Sequence, residues 1–181
     1  MRILIINGLY SFGIHLINSL LLNPSIKLIR LCDIDGLNKR CEFQKQKRVN
    51  YHSIKDDSRI EYFHSSLKNN VENNHLFKTI NVVLYLFADD TVSFLKTHKT
   101  YHNENYDVLN RELKIIQNIF YLVQQNYHTV KRLLFQCDFY HMNEIITNNL
   151  FFILHKNMQL LAKLQDINLT FINFTEIYGP N

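Results

Sequence analysis

Tryptophan is absent from this 181-residue chain, proline occurs twice, glycine four times and cysteine three times. So little glycine and proline excludes a collagen-like or linker-rich chain, and 20% charged residues against 46% hydrophobic ones excludes intrinsic disorder. Cys32, Cys41 and Cys137 are too few and too scattered for a disulfide framework or a cysteine-based zinc site. No apolar run approaches the ~20 residues of a membrane span, so no membrane partner is expected. The opening Met1-Arg2 is followed by four apolar residues and then Asn7-Gly8, too short a stretch for a signal peptide. The expectation is a cytoplasmic, intracellular chain, with the sequons at Asn168 and Asn173 arising by chance. Twenty basic residues against sixteen acidic ones leave a net charge of +4 with no long basic block, a pattern that predicts no nucleic-acid partner.

What is present is an alternation of short β-branched runs with longer helical patterns, the signature of a parallel sheet covered by helices. Strands are predicted at Arg2 to Ile6, Lys27 to Cys32, Ile60 to His64, Asn81 to Phe87, Val130 to Gln136 and Leu169 to Phe174. Helices are predicted at Ser11 to Leu22, stopped by Pro24, at Tyr106 to Gln125 and at Glu144 to Leu164. The polar stretch Asn38 to Arg59 has no clear period. Six strands with helical crossovers predict an α/β protein, a Rossmann-like doubly wound parallel sheet with helices on both faces, in a single domain over residues 1–181.

A strand ending in Asn7-Gly8, then a turn and a helix, with Asp33 closing the next strand, is the layout of a dinucleotide site. The helix N-terminus offers N–H groups to a pyrophosphate, and the later carboxylate accepts from ribose hydroxyls. Between Gly8 and Gly13, however, stand Leu9-Tyr10-Ser11-Phe12, so the middle glycine that lets phosphate approach the backbone is replaced by Ser11. Two readings stand: a nucleotide cradle, or two glycines that close a tight strand–helix turn.

With these pieces in order, the chain resembles the extended short-chain dehydrogenase/reductase family, the NAD-dependent nucleotide-sugar epimerases and dehydratases. The resemblance runs through Ile5-Ile6-Asn7-Gly8 to Phe12-Gly13-Ile14-His15-Leu16, Asp33, Asn81-Val82-Val83-Leu84-Tyr85-Leu86-Phe87-Ala88, Asn110, Val130-Lys131-Arg132-Leu133-Leu134-Phe135 and Asn173-Phe174-Thr175-Glu176-Ile177-Tyr178-Gly179-Pro180. It implies a cofactor-binding set of Gly8, Ser11, Phe12, Gly13, Asp33, Ser66, Ala88 and Lys156, and no metal.

The departures fall on the chemistry. In the family a tyrosine four residues before a helical lysine acts as acid/base, and a Ser or Thr after the fifth strand orients the substrate hydroxyl. Here Lys156 is preceded at that spacing by Phe152, and Asp138 stands in place of the hydroxyl. A phenyl ring carries no exchangeable proton, and an ionised carboxylate only accepts hydrogen bonds. Ser66 stands where the family has aspartate and Asn173 where it has arginine. The chain also stops at Asn181, where the family continues into its substrate-binding part.

Other motifs have plainer readings. Tyr51/Lys55 and Tyr127/Lys131 reproduce the Tyr-x-x-x-Lys spacing away from the expected helix. His155 is an alternative acid/base or a partly exposed helix histidine. His98 and His102 share a helix face as two zinc ligands would, or form a solvated pair. Cys137 is a reactive thiol or a buried structural one. The helices at 106–125 and 144–164 are apolar around much of their circumference, which predicts burial on two sides and a homodimer formed through both. The sequence therefore reads as a catalytically inactive, self-associating structural or binding module with no cofactor or weak NAD(P) affinity and a possible nucleotide ligand. The alternative is an active epimerase or dehydratase with a non-standard catalytic set.

Overall fold

A strand that is apolar on both faces needs cover on both, and the run from Arg2 to Ile6 finds it in the middle of a parallel sheet. The computed structural model describes residues 1–9, 11–34, 56–65, 67, 70–87, 103–137 and 150–173. In chain order these form β1 (Arg2–Ile6), α1 (Ser11–Leu21), β2 (Leu28–Asp33), β3 (Ile60–His64) and α2 (Asn70–Phe77). They continue as β4 (Val82–Tyr85), α3 (Asn103–Gln125), β5 (Arg132–Cys137), α4 (Leu150–Leu164) and β6 (Leu169–Asn173). All strands pair in parallel, in the order β3-β2-β1-β4-β5-β6. This is the Rossmann order, reversing direction between β1 and β4.

Helices cover both faces. Ile14 and Ile17 of α1 pack with Ile3, Ile5, Ile29, Leu31 and Leu84 on one face. On the other, Leu76 and Phe77 of α2, Ile116 and Phe120 of α3, and Leu154 and Met158 of α4 join Leu4, Ile6, Val83, Tyr85, Leu133 and Phe135. Alternate strand residues thus serve opposite layers, as the two-residue strand period requires.

Strands β1 and β3, the start of β6 and the start of α1 fall where the sequence pattern puts them, and the ends of β2, β4 and β5 move by one or two residues. Helix α3 begins three residues earlier than predicted, which puts Asn110 two turns inside the helix and exposed, not at its start. The predicted strand-six end at Phe174 and helix start at 144–149 lie outside the described residues, as does most of the stretch 38–59.

Helix α2 has no counterpart in the sequence reading. Its segment Asn-Val-Glu-Asn-Asn-His-Leu-Phe lacks an apolar stripe, and asparagine is a poor helix former. Arg30, on the neighbouring β2, explains its stability. The guanidinium donates to the carbonyls of His75 (3.2 Å), Leu76 (2.8 Å) and Lys78 (3.2 Å), satisfying acceptors that every helix leaves open at its C-terminal end. Glu61 on β3 holds it from the other side at 2.8 Å, and Phe63 lies under it. Arg59 does the same for α1, donating to the Leu21 carbonyl at 3.0 Å while Asp57 fixes its orientation at 2.7 Å. That pairing lowers the Asp57 pKa to about 2 through the hydrogen bonds from Arg59.

Among the described side chains of α3, which begin at Asn110, the apolar girth is directed inward. Ile115, Ile116, Ile119, Phe120, Leu122 and Val123 are all buried within the chain, whereas Arg111, Lys114, Gln117 and Tyr121 are exposed. One broad face, set against the sheet and flanked by α2 and α4, accounts for the pattern that predicts burial on two sides. Among the described side chains of α4, the exposed large apolar ones are Leu160 and Leu164.

Candidate functional site at the carboxyl edge of the sheet

In an open α/β sheet the ligand crevice lies outside the carboxyl ends of the strands, at the point where strand order reverses. Here that point is the gap between β1 and β4, and Asn7 spans it. Its backbone N–H donates to Cys32 O on β2 at 2.8 Å, while its side-chain Nδ2 donates to Leu86 O beyond β4 at 3.0 Å. Asn7 adopts φ 61°, the left-handed conformation that asparagine tolerates better than most residues. This turns the chain sharply out of β1 toward α1. The side chain is 3% exposed, and its Oδ1 has no hydrogen-bond partner among the described residues.

Gly8 and Gly13 are brought together by that turn. A Cβ on Gly13 would lie 2.2 Å from the Gly8 carbonyl oxygen, so α1 sits against the turn at a distance only glycine permits. A Cβ on Gly8 would meet side-chain atoms of Ile5, Leu31 and Ile17 at 3.0–3.3 Å. Both glycines therefore pack protein on protein. Ser11 begins α1, and its side chain, like that of Phe12, lies outside the described residues.

Asp33 ends β2 with its side chain fully enclosed, and its backbone carbonyl lies within hydrogen-bond distance of the His64 ring at 3.0 Å and Ser65 N–H at 3.4 Å. The adjacent Cys32 thiol is pushed up to about 12 by burial and by the Asp33 charge, which keeps it protonated and unreactive. Leu67, two residues past Ser65, is held at φ 52°, a conformation that costs a leucine about 1–2 kcal/mol. Its N–H donates to Ser65 Oγ (3.1 Å), its carbonyl accepts from Asn118 Nδ2 (2.7 Å), and its side chain is buried. Ser65 Oγ also bonds to Asn73 Oδ1. These groups border a cleft of about 380 Å³ between β3 and α2, lined by His64, Ser65, Glu72, Asn73 and His75.

Of the remaining positions that the resemblance ties to cofactor binding or catalysis, Ser66, Ala88 and Asp138 lie outside the described residues. Phe152 and Lys156 are on α4, and the Phe152 side chain is likewise outside them. Lys156 is exposed, with Nζ 3.4 Å from Gln159 Oε1. His155 is not the partly exposed helix residue expected from its polarity. It is 6% exposed, its ring 4.1 Å from that of Phe171 on β6, and desolvation, followed by the Lys156 charge, lowers its pKa. Tyr127 and Lys131 are at the other end of the sheet, in and just after the turn that follows α3. The pairs Tyr51/Lys55 and His98/His102 lie outside the described residues, among which no cluster of three or more His, Cys, Asp or Glu could hold a metal. No helix of the described residues is long and apolar enough to cross a membrane.

A hydrogen-bonded pair that the sequence reading passes over lies beneath the crevice. Tyr85 OH on β4 donates to Glu112 Oε2 on α3 at 2.5 Å, with both side chains buried and Arg111 Nη2 3.5 Å from the other carboxylate oxygen. A charged residue at an otherwise apolar helix position, three before Ile115, is the signal that could have found it. Beside it, Gln136 Oε1 accepts from Phe87 N–H at 3.0 Å, tying β5 to the end of β4.

These features define a Rossmann-like α/β protein, and comparison with solved structures bears this out. No protein-family model matches the chain, and no curated protein matches it. Among solved structures it is similar to DesIV, a dTDP-glucose 4,6-dehydratase from Streptomyces venezuelae with NAD bound. The TM-score is 0.66 at 12% identity, over 94% of this chain and 54% of that one. It is also similar to Pen from Bacillus thuringiensis, with TM-score 0.65, 18% identity, and coverage of 93% and 48%. Triphenylmethane reductase from Citrobacter sp., complexed with NADP(H), gives TM-score 0.58 at 14% identity over 94% and 48%. The chain thus spans about half the length of these structures, and at such identities the likeness establishes the fold.

Two outcomes follow from the geometry. Gly13→Ala should destabilise the protein by about 3 kcal/mol or more, because a backbone oxygen blocks the new methyl, while Gly8→Ala, facing side-chain atoms, costs roughly 1–2 kcal/mol. Urea midpoints of the two variants check the order. His155 has a folded-state pKa below its unfolded value, so the unfolded chain takes up the proton first as pH falls. Stability should drop as pH goes below about 6.5, the ordinary histidine value, and His155→Leu should flatten that part of a urea-midpoint profile.

Proposed function

We propose that this chain is a catalytically silent, self-associating binding module on the short-chain dehydrogenase/reductase scaffold, with weak or no affinity for NAD or NADP. The observation that carries the reading is Phe152. On α4, four residues before Lys156, the resembled enzymes place the phenol that gives and takes the proton, and this chain places a bare ring. Loss of a general acid/base costs about 10²–10⁴-fold in rate, so the scaffold alone leaves little turnover. The alternative, an active epimerase or dehydratase, needs a substitute proton carrier. His155, the nearest ionisable candidate, is packed against Phe171 and held neutral by desolvation, which supports the silent reading.

The nucleotide part of the proposal rests on the switch-point geometry, with the amino end of α1 directly after the Asn7–Leu9 turn, and on the cofactors carried by DesIV and triphenylmethane reductase. A bound nicotinamide nucleotide would supply hydride chemistry, and the residues that would hold it are those the resemblance names at the α1 start, Ser11–Gly13, with Asp33 and Lys156. The enclosure of Asp33 and the packing role of both glycines support weak affinity. Self-association is assigned to the outer faces of α3 and α4, where Tyr121, Leu160 and Leu164 are the exposed large apolar side chains among the described residues.

Titration with NAD and NADP, followed by melting temperature and reduced-cofactor fluorescence, is expected to give a small or no shift and no turnover of any nucleotide sugar. Phe152→Tyr should not create activity. Saturable micromolar binding with turnover would overturn the silent reading. Sedimentation is expected to give twice the 21.7 kDa chain mass, and Leu160→Glu with Leu164→Glu should return it to one; a wild-type monomer would remove the self-association claim.

A further inference from the structure

The amino edge of the sheet, opposite the crevice, carries a row of cationic side chains. Strand register aligns Arg2 with Leu28, Ile3 with Val82 and Val82 with Arg132. Lys27, Arg2, Lys131 and Arg132 therefore share one edge spanning three strand spacings, about 14 Å. Backbone bonds brace it: Lys27 N to Met1 O and Lys131 N to Asn81 O, both 2.8 Å, and Arg2 N to Asn81 Oδ1 at 2.9 Å. All four cationic side chains are exposed, and none is in an ion pair among the described residues. The helices that end at this edge each contribute about half an elementary negative charge, set against these four exposed cations.

Beside Lys131 and Arg132 opens a cleft of about 650 Å³ between the end of α3, the start of β5 and the turn from α4 to β6. Tyr127 stands at it 62% exposed, its ring 3.6 Å from that of His128. Gln165, Asp166 and Asn168 line the opposite wall. Cations for phosphate, a largely exposed aromatic ring backed by His128 and amide groups for base edges are the three elements of a single-strand nucleic-acid platform. The carboxylate of Asp166 repels phosphate but accepts from a base N–H, such as the N3–H of thymine.

We propose that this edge binds single-stranded nucleic acid, with Lys131 and Arg132 on the phosphates, a base stacked on Tyr127, and Arg2 and Lys27 extending the backbone path. A duplex keeps its base faces stacked and has none to offer Tyr127, and an acidic peptide has no base to stack. The binding is independent of the nucleotide crevice.

The test is fluorescence anisotropy of the whole chain with a labelled oligothymidylate at low salt. Saturable micromolar binding is expected, with log affinity falling against log salt at a slope of about −2 to −3. Tyr127→Ala should weaken binding about tenfold and leave the slope unchanged, and Tyr127→Phe should keep the affinity. Lys131→Gln with Arg132→Gln should make the slope shallower by about one. Absence of saturable binding, equal affinity for polyglutamate or a blunt duplex, or a Tyr127→Ala variant that binds like the parent would each overturn the proposal.

Discussion

The contact between Gly13 and the Gly8 carbonyl sets the geometry from which much else follows. Helix α1 leaves β1 through a turn so tight that one missing Cβ is the space between them. That approach seats Ile14 and Ile17 on β1 and β2, which closes one whole layer of the core. It also directs the amino end of α1 toward the gap between β1 and β4. Asn7 makes the turn possible by taking a left-handed conformation, and its amide then fastens β1 to β4 across that gap. One glycine and one asparagine thus join the packing of the sheet to the position of the crevice.

The two edges of the sheet differ in how their polar groups are satisfied. At the carboxyl edge polar side chains turn inward: Asp33 is enclosed, Tyr85 bonds to Glu112, and Ser65 bonds to Asn73. At the amino edge Arg30 and Arg59 are spent on helix carbonyls, whereas Arg2, Lys27, Lys131 and Arg132 remain in solvent. A modest net charge of +4 says little about such a division, because it sums over both edges.

Strand β3 and most other elements were legible because burial on a sheet writes a local pattern, and Val82-Val83-Leu84 carries that pattern without interruption. Helix α2 was not legible, since its stability comes from Arg30 on another strand and from Leu76 and Phe77 at its last turn. His155 was misjudged for a related reason: polarity suggests exposure, but its neighbour Phe171 arrives from β6, sixteen residues later. The apolar girth of α3 pointed to two buried sides, and one broad face beneath flanking helices α2 and α4 absorbs it. Within the candidate site, the glycine turn and Asp33 could be read from the chain, while the left-handed Asn7 and the Tyr85–Glu112 pair could not.

Element order, strand and helix periods, and the spacing of Phe152 four residues before Lys156 are properties of short windows of sequence, and the sequence by itself determined them. Which side chains meet across the sheet depends on the strand order β3-β2-β1-β4-β5-β6, and that order is settled by packing over the whole chain. Only the tertiary structure therefore decided that Asn7 reaches Leu86, that both glycines face protein, and that cations from three separate strand starts line one edge. Local periodicity is encoded within a few turns of chain, but contacts between distant segments exist only once every layer has found its cover.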